Sequence, residues 1–148
     1  TWSQVRATLV KSARFPDPDQ DQGQHQWNFR IVPDASVLEA VAAGQQINLG
    51  EREVSGAPVD APFSVSGAVV ESVALAPDRS GDLVIRLYEA EGGPSRVTFR
   101  APKAGSVTAC DLRYRPSESE PELRGGQGEW SFDLSAFQIT TLRVSFAK

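Results

Sequence analysis

Cysteine, histidine and methionine are nearly absent from this chain. Its 148 residues include one cysteine, one histidine and no methionine. A single cysteine cannot form an intrachain disulfide or a thiolate cluster for zinc or iron–sulfur groups. A single histidine, His25, cannot complete a zinc site, where three or four ligands converge. Because translation begins with methionine, we expect a chain that opens on Thr1 to be a piece of a longer protein.

Long apolar runs and excess positive charge are also missing. No stretch approaches the roughly 18 apolar residues of a transmembrane helix, and the start has no signal-peptide pattern. Fifteen Lys and Arg against nineteen Asp and Glu give a net charge of −4. This field opposes nucleic acid and anionic lipid, so we expect neither a nucleic acid nor a membrane as partner. One unpaired cysteine without a leader suits a cytoplasmic location.

Alternation of apolar and polar residues with a period of two dominates the chain. Turn residues separate the alternating runs at short, even spacing, as in an all-β sandwich. The predicted strands are Val5–Leu9, Trp27–Ile31, Ile47–Val54, Ala68–Leu75, Leu83–Tyr88, Arg96–Arg100, Val107–Leu112, Trp130–Leu134 and Ile139–Phe146.

One helix is expected between the second and third of these runs. Ser36 and Glu39 have the spacing of a capping box, and Gly44 offers a left-handed stop; a turn with one loose coil is the alternative. We therefore predict a mostly β protein of antiparallel β-sandwiches with one short helix. The C-terminal half is expected to form a small immunoglobulin-like sandwich.

The stretch Ser55–Pro62 has the composition of a linker, because it combines glycine and proline with small residues. We place a domain boundary there. The predicted domains are residues 1–58 and residues 59–148.

The densest polar cluster lies in one loop and contains Asp17, Asp19, Asp21 and His25. It is compatible with a metal site or a carboxylate–imidazole pair, although it lacks the bidentate Glu of a calcium-binding hand. The favoured interpretation is a solvated loop whose Asp side chains bond their own backbone. A third interpretation is a loop that contacts a ligand or a neighbouring domain.

Two other features could carry chemistry. Glu89 and Glu91 could form a carboxylate pair of the kind that hydrolyses glycosides, but paired acids at a strand end are typically solvated edge residues. Cys110 lies in a strand-like stretch, where a buried and inert thiol is expected.

Aromatic residues and glycines also admit a functional and a structural interpretation. Trp2, Trp27 and Trp130 could stack on a sugar, but the alternation around Trp27 and Trp130 favours core packing. A glycine-rich stretch near the C-terminal end of the chain lacks the lysine of a phosphate loop, so we expect it to form a hairpin turn. Its glycines are Gly125, Gly126 and Gly128.

Four segments resemble a known family. The aromatic-Pro-Asp-Pro and Asp-x-Gly-x-His patterns of Phe15–Arg30 resemble the C-terminal region of glycoside hydrolase family 38 α-mannosidases. Val69–Val73, Gly81–Ala90 with its Leu-Tyr-Glu-Ala run, and Phe137–Val144 resemble that family's closing β-sandwich, in the same order. Asp34 stands where the family often has histidine, and Ala-Phe-Gln stands where it has Pro-Phe-Glu.

The resemblance implies a parent enzyme that hydrolyses α-mannosidic bonds with retention. In that family an Asp nucleophile, a carboxylic general acid and a zinc held by two His and two Asp belong to an N-terminal catalytic domain. This chain lacks those motifs, so the resemblance implies a fragment with no catalytic residue, metal ligand or cofactor of its own.

Within such an enzyme, residues 1–58 would be the tail of a large β-supersandwich and the remainder a small terminal sandwich. The expected partners are the catalytic domain and, through the parent enzyme, α-mannosides. Asp21, Gly23 and His25 are the candidates for contact with a ligand or with that domain. A free-standing carbohydrate-binding or adhesion module and a small independent hydrolase remain alternatives.

Overall fold

A computed structural model describes residues 4–50 and 53–146 of the protein. One helix and eight strands follow one another along this part of the chain. They are α1 (Val37–Asn48), β1 (Ser64–Ser66), β2 (Val69–Leu75), β3 (Leu83–Tyr88), β4 (Ser95–Arg100), β5 (Ala104–Cys110), β6 (Arg124–Gly126), β7 (Glu129–Leu134) and β8 (Ile139–Phe146).

The strands form two antiparallel sheets of four strands each. Sheet 1 has the order β1-β4-β7-β6, and sheet 2 has the order β2-β3-β8-β5. The two sheets pack face to face, which confirms the prediction of a mostly β protein with an antiparallel sandwich and one short helix. Six of the nine predicted strands correspond to β2, β3, β4, β5, β7 and β8.

The core lies between the inner faces of the two sheets. Leu87 of β3 and Phe99 of β4 are fully buried, and Phe99 packs between the rings of Phe63 and Trp130 at centroid distances of 5.6 and 6.3 Å. The buried cluster consists of Ile85, Leu87, Val97, Phe99, Ala101, Ala109, Trp130, Phe132, Leu134, Leu142 and Val144. Removal of this apolar surface from water is the main stabilising term of the fold.

Helix α1 begins at the predicted capping box. The Glu39 amide donates to Ser36 Oγ at 3.2 Å, and the Ser36 amide donates to Glu39 Oε2 at 2.8 Å. The Ser36 amide, together with the Ser36 hydroxyl, which donates to Glu39 Oε2 at 2.9 Å, lowers the pKa of Glu39 because both bonds favour its ionised form. Among the described residues, no helix has the length and apolarity that a membrane span requires.

The predicted stop at Gly44 is wrong, since the helix continues to Asn48. Two residues past Gly44 bond to other parts of the chain. Gln45 Nε2 donates to the carbonyl oxygen of Val70 at 3.1 Å, and Arg30 donates to Gln46 Oε1 at 2.7 Å. These tertiary bonds favour helix where the local signal favoured a stop.

Three predicted strands are absent from the described residues. Val5–Leu9 and Trp27–Ile31 are exposed and pair with no strand there. Ile47 and Asn48 belong to α1, and the described remainder of Ile47–Val54 is irregular; Glu51 and Arg52 lie outside the described residues. Alternation marks a segment that can form a strand, but a strand also needs a partner backbone for its hydrogen bonds.

Two short strands were not predicted. β1 and β6 have three residues each and lie at the edges of sheet 1. The turn between β6 and β7 contains Gly128, whose φ of +91° and approach to 2.9 Å between an added Cβ and Pro102 Cα both exclude a larger residue. The glycine-rich stretch therefore forms a hairpin, as the sequence predicted.

Replacement of Phe99 by alanine is expected to destabilise the protein by about 3–5 kcal/mol, because it empties the centre of the core. Urea unfolding followed by tryptophan fluorescence measures this change. Phe29, whose side chain is 64% exposed, provides a matched control. Its replacement by alanine should change the free energy of unfolding by less than about 0.5 kcal/mol. Equal effects of the two substitutions would contradict the assignment of the core.

Candidate functional site

The loop that contains Asp21, Gly23 and His25 forms one locally bonded unit. His25 Nε2 donates to the carbonyl oxygen of Asp21 at 2.9 Å, and the imidazole stacks on Trp27 with ring centroids 5.3 Å apart. The Asp21 carboxylate accepts the Ser12 amide at 3.2 Å. The structure thus brings Asp21 and His25 together through the backbone of Asp21, which is not the carboxylate–imidazole contact of an acid–base pair.

Backbone conformation explains the glycine in this loop. Gly23 has a φ of +124°, and a Cβ added there would meet no atom within 4 Å. The position therefore needs glycine for its backbone angle and not for close approach of another group. All residues from Asp21 to His25 are exposed, so the loop is accessible to a neighbouring molecule or domain.

The acids of this loop do not converge on one point. The Asp17 carboxylate accepts the Asp19 amide at 2.9 Å, which is the local turn predicted for such residues. Within residues 4–50 and 53–146, no three His, Cys, Asp or Glu side chains form a group that could hold a metal ion. The calcium interpretation of this loop therefore has no support in the structure.

Glu89 is the one charged residue that is buried in the described part of the chain. Its side chain is 3% exposed and lies between the loop after β3 and the loop before β8. Its carboxylate accepts amides from Phe137 at 2.9 Å, Glu91 at 2.7 Å and Gly92 at 2.9 Å. The Phe137 amide, followed by those of Glu91 and Gly92, holds the pKa of Glu89 below its usual value despite the opposing effect of desolvation.

The expectation that Glu89 and Glu91 are both solvated edge residues is therefore wrong for Glu89. The chain turns at Gly92–Gly93–Pro94, and the backbone amides of that turn point at the carboxylate instead of at water. Glu91 is exposed, and its contact with Glu89 is through its own amide. The two side chains do not face each other across a space for a glycosidic bond. The available signal was the position of Glu89 at the end of an apolar strand, three residues before the Gly92–Gly93–Pro94 turn.

Comparison with models of protein families shows which family this β-sandwich belongs to. The model described as "Glycosyl hydrolases family 38 C-terminal beta sandwich domain" matches residues 67–142, just over half of the chain. The matched span runs from the start of β2 into β8 and includes Glu89 and Phe137.

The chain belongs to glycosyl hydrolase family 38. It contains that family's C-terminal β-sandwich domain, as the resemblance in the sequence implied. A search of curated proteins found no match for this chain.

The cysteine and the tryptophans that the sequence analysis considered for this family 38 chain are explained next. Cys110 is 1% exposed, and burial raises the pKa of its thiol, which keeps it protonated and unreactive. Trp130 lies in the core, as predicted, whereas the core packing predicted for Trp27 is wrong, since Trp27 is exposed and stacks on His25. Trp2 lies outside the described residues. These contacts contain neither an activated nucleophile nor a general base.

Sequence reasoning missed an ionic cluster on the outer face of sheet 2. Arg143 of β8 donates to Asp78 at 2.6 Å and to Asp82 at 2.7 Å, and so ties the turn between β2 and β3 to the middle of the sheet. Hydrogen bonds from Ser80 and Arg143 lower the pKa of Asp78 to about 2. The Asp-Arg-Ser-Gly-Asp turn that begins at Asp78 was the signal, but its partner lies 61 to 65 residues away in sequence.

Replacement of Glu89 by glutamine is expected to lower the free energy of unfolding at neutral pH. It should also make that free energy less dependent on pH in the acid range. Since folding lowers the pKa of Glu89, its contribution to stability is present above the unfolded value near 4.5 and disappears as the pH falls through the lower folded value. The variant should therefore lose less stability than the wild type between neutral pH and acid. The slope of its free energy of unfolding against pH should be smaller than that of the wild type by the equivalent of up to one bound proton.

Urea unfolding at a series of pH values measures this difference. The exposed Glu118 offers a control, and its replacement by glutamine should leave the pH dependence unchanged. A Glu89→Gln variant with the same pH dependence as the wild type would contradict the role given to this carboxylate.

Proposed function

We propose that this family 38 domain is the non-catalytic C-terminal part of an α-mannosidase and supports the catalytic domain of the same chain. The observation that carries the proposal is the family match over the sandwich itself. The described residues add support, because the Glu89 carboxylate bonds to backbone amides and the Asp82 carboxylate bonds to Arg143.

A rigid sandwich suits a supporting role. Catalytic groups have to be held within about 0.5 Å of a productive geometry, and a packed neighbour helps to hold them there. The inner faces of sheets 1 and 2 form a dense core, and the Glu89 carboxylate fixes two loops at one end of it. The domain can therefore present a surface of constant shape to the rest of the enzyme.

The zinc of the catalytic centre is proposed to belong to another part of the parent enzyme. Zinc sites draw on several converging His, Cys or carboxylate ligands. This chain has one histidine, which bonds to a backbone carbonyl oxygen, and its described residues contain no group of three ligands. The residues present do not fit the ion.

Buried Cys110 with no cysteine partner in the chain is compatible with the proposed cytoplasmic location.

Residues 1–58 are proposed to belong to a larger β-domain that precedes the small sandwich. Val5, Phe29 and Ile31 are largely exposed, although the alternation around them is typical of strands. Extended backbone without a partner in the described structure is suited to pair with strands elsewhere in the enzyme. The boundary near residue 58 follows from this assignment and is part of the proposal.

The isolated chain is expected to release no sugar from an aryl α-mannoside, whereas the complete enzyme that carries it releases mannose with retention. Absorbance of the aryl leaving group measures turnover, and NMR of the first product measures the anomeric outcome. Hydrolysis by the isolated chain would overturn the non-catalytic assignment. Mannoside binding by the isolated chain would favour the carbohydrate-binding alternative instead.

The exposed loop that contains His25 is proposed to contact the catalytic domain. Replacement of His25 by alanine removes its bond to Asp21 and its stacking on Trp27, so it should lower kcat/KM or the Tm of the complete enzyme. The same change should have little effect on the Tm of the isolated chain, because the loop lies outside the core. Gln24→Ala, a change at an exposed neighbouring residue, is the control. Unchanged kcat/KM and unchanged Tm of the complete enzyme with His25→Ala would contradict the proposed contact.

A further inference from the structure

We draw no further inference here: the strongest candidate, the groove between α1 and the outer face of sheet 2 that Glu71, Arg86 and Phe137 line, carries no proposal because nothing in the structure shows what covers it.

Discussion

Burial of the inner faces of the two sheets against each other is the interaction on which the other features of this domain depend. Leu87 and Leu142 of sheet 2 meet Phe99 and Phe132 of sheet 1 in one continuous core. Because this core is dense, the strand ends and their loops are held at fixed positions. Stabilisation comes mainly from apolar surface, and the polar contacts define where the loops lie.

Two electrostatic contacts complete this arrangement at opposite parts of sheet 2. Glu89 gathers three amides from two loops, and Arg143 joins the turn between β2 and β3 to β8. Both are charged groups with several partners in a partly water-excluded setting, where such bonds are stronger than at an open surface. They give Glu89, Asp78 and Asp82 structural partners within this family 38 domain.

Local patterns predicted the second half of the fold well and the first half poorly. β3, β7 and β8 alternate against a buried face, so their sequences carry the information that their structure needs. Segment Trp27–Ile31 has the same alternation but no partner strand among the described residues. At the candidate site, the local turn at Asp17 and Asp19 was predicted from residue type, whereas the burial of Glu89 depended on Phe137, 48 residues away.

The sequence by itself determined the strand-forming runs, the helix start at Ser36 and Glu39 and the family of the sandwich, because each rests on residue types at short, fixed spacing. Only the tertiary structure decided that α1 passes through Gly44, that Glu89 is buried among amides and that Phe137 stands exposed beside α1. Those outcomes depend on contacts between distant segments, and the free energy of such contacts exceeds local preference.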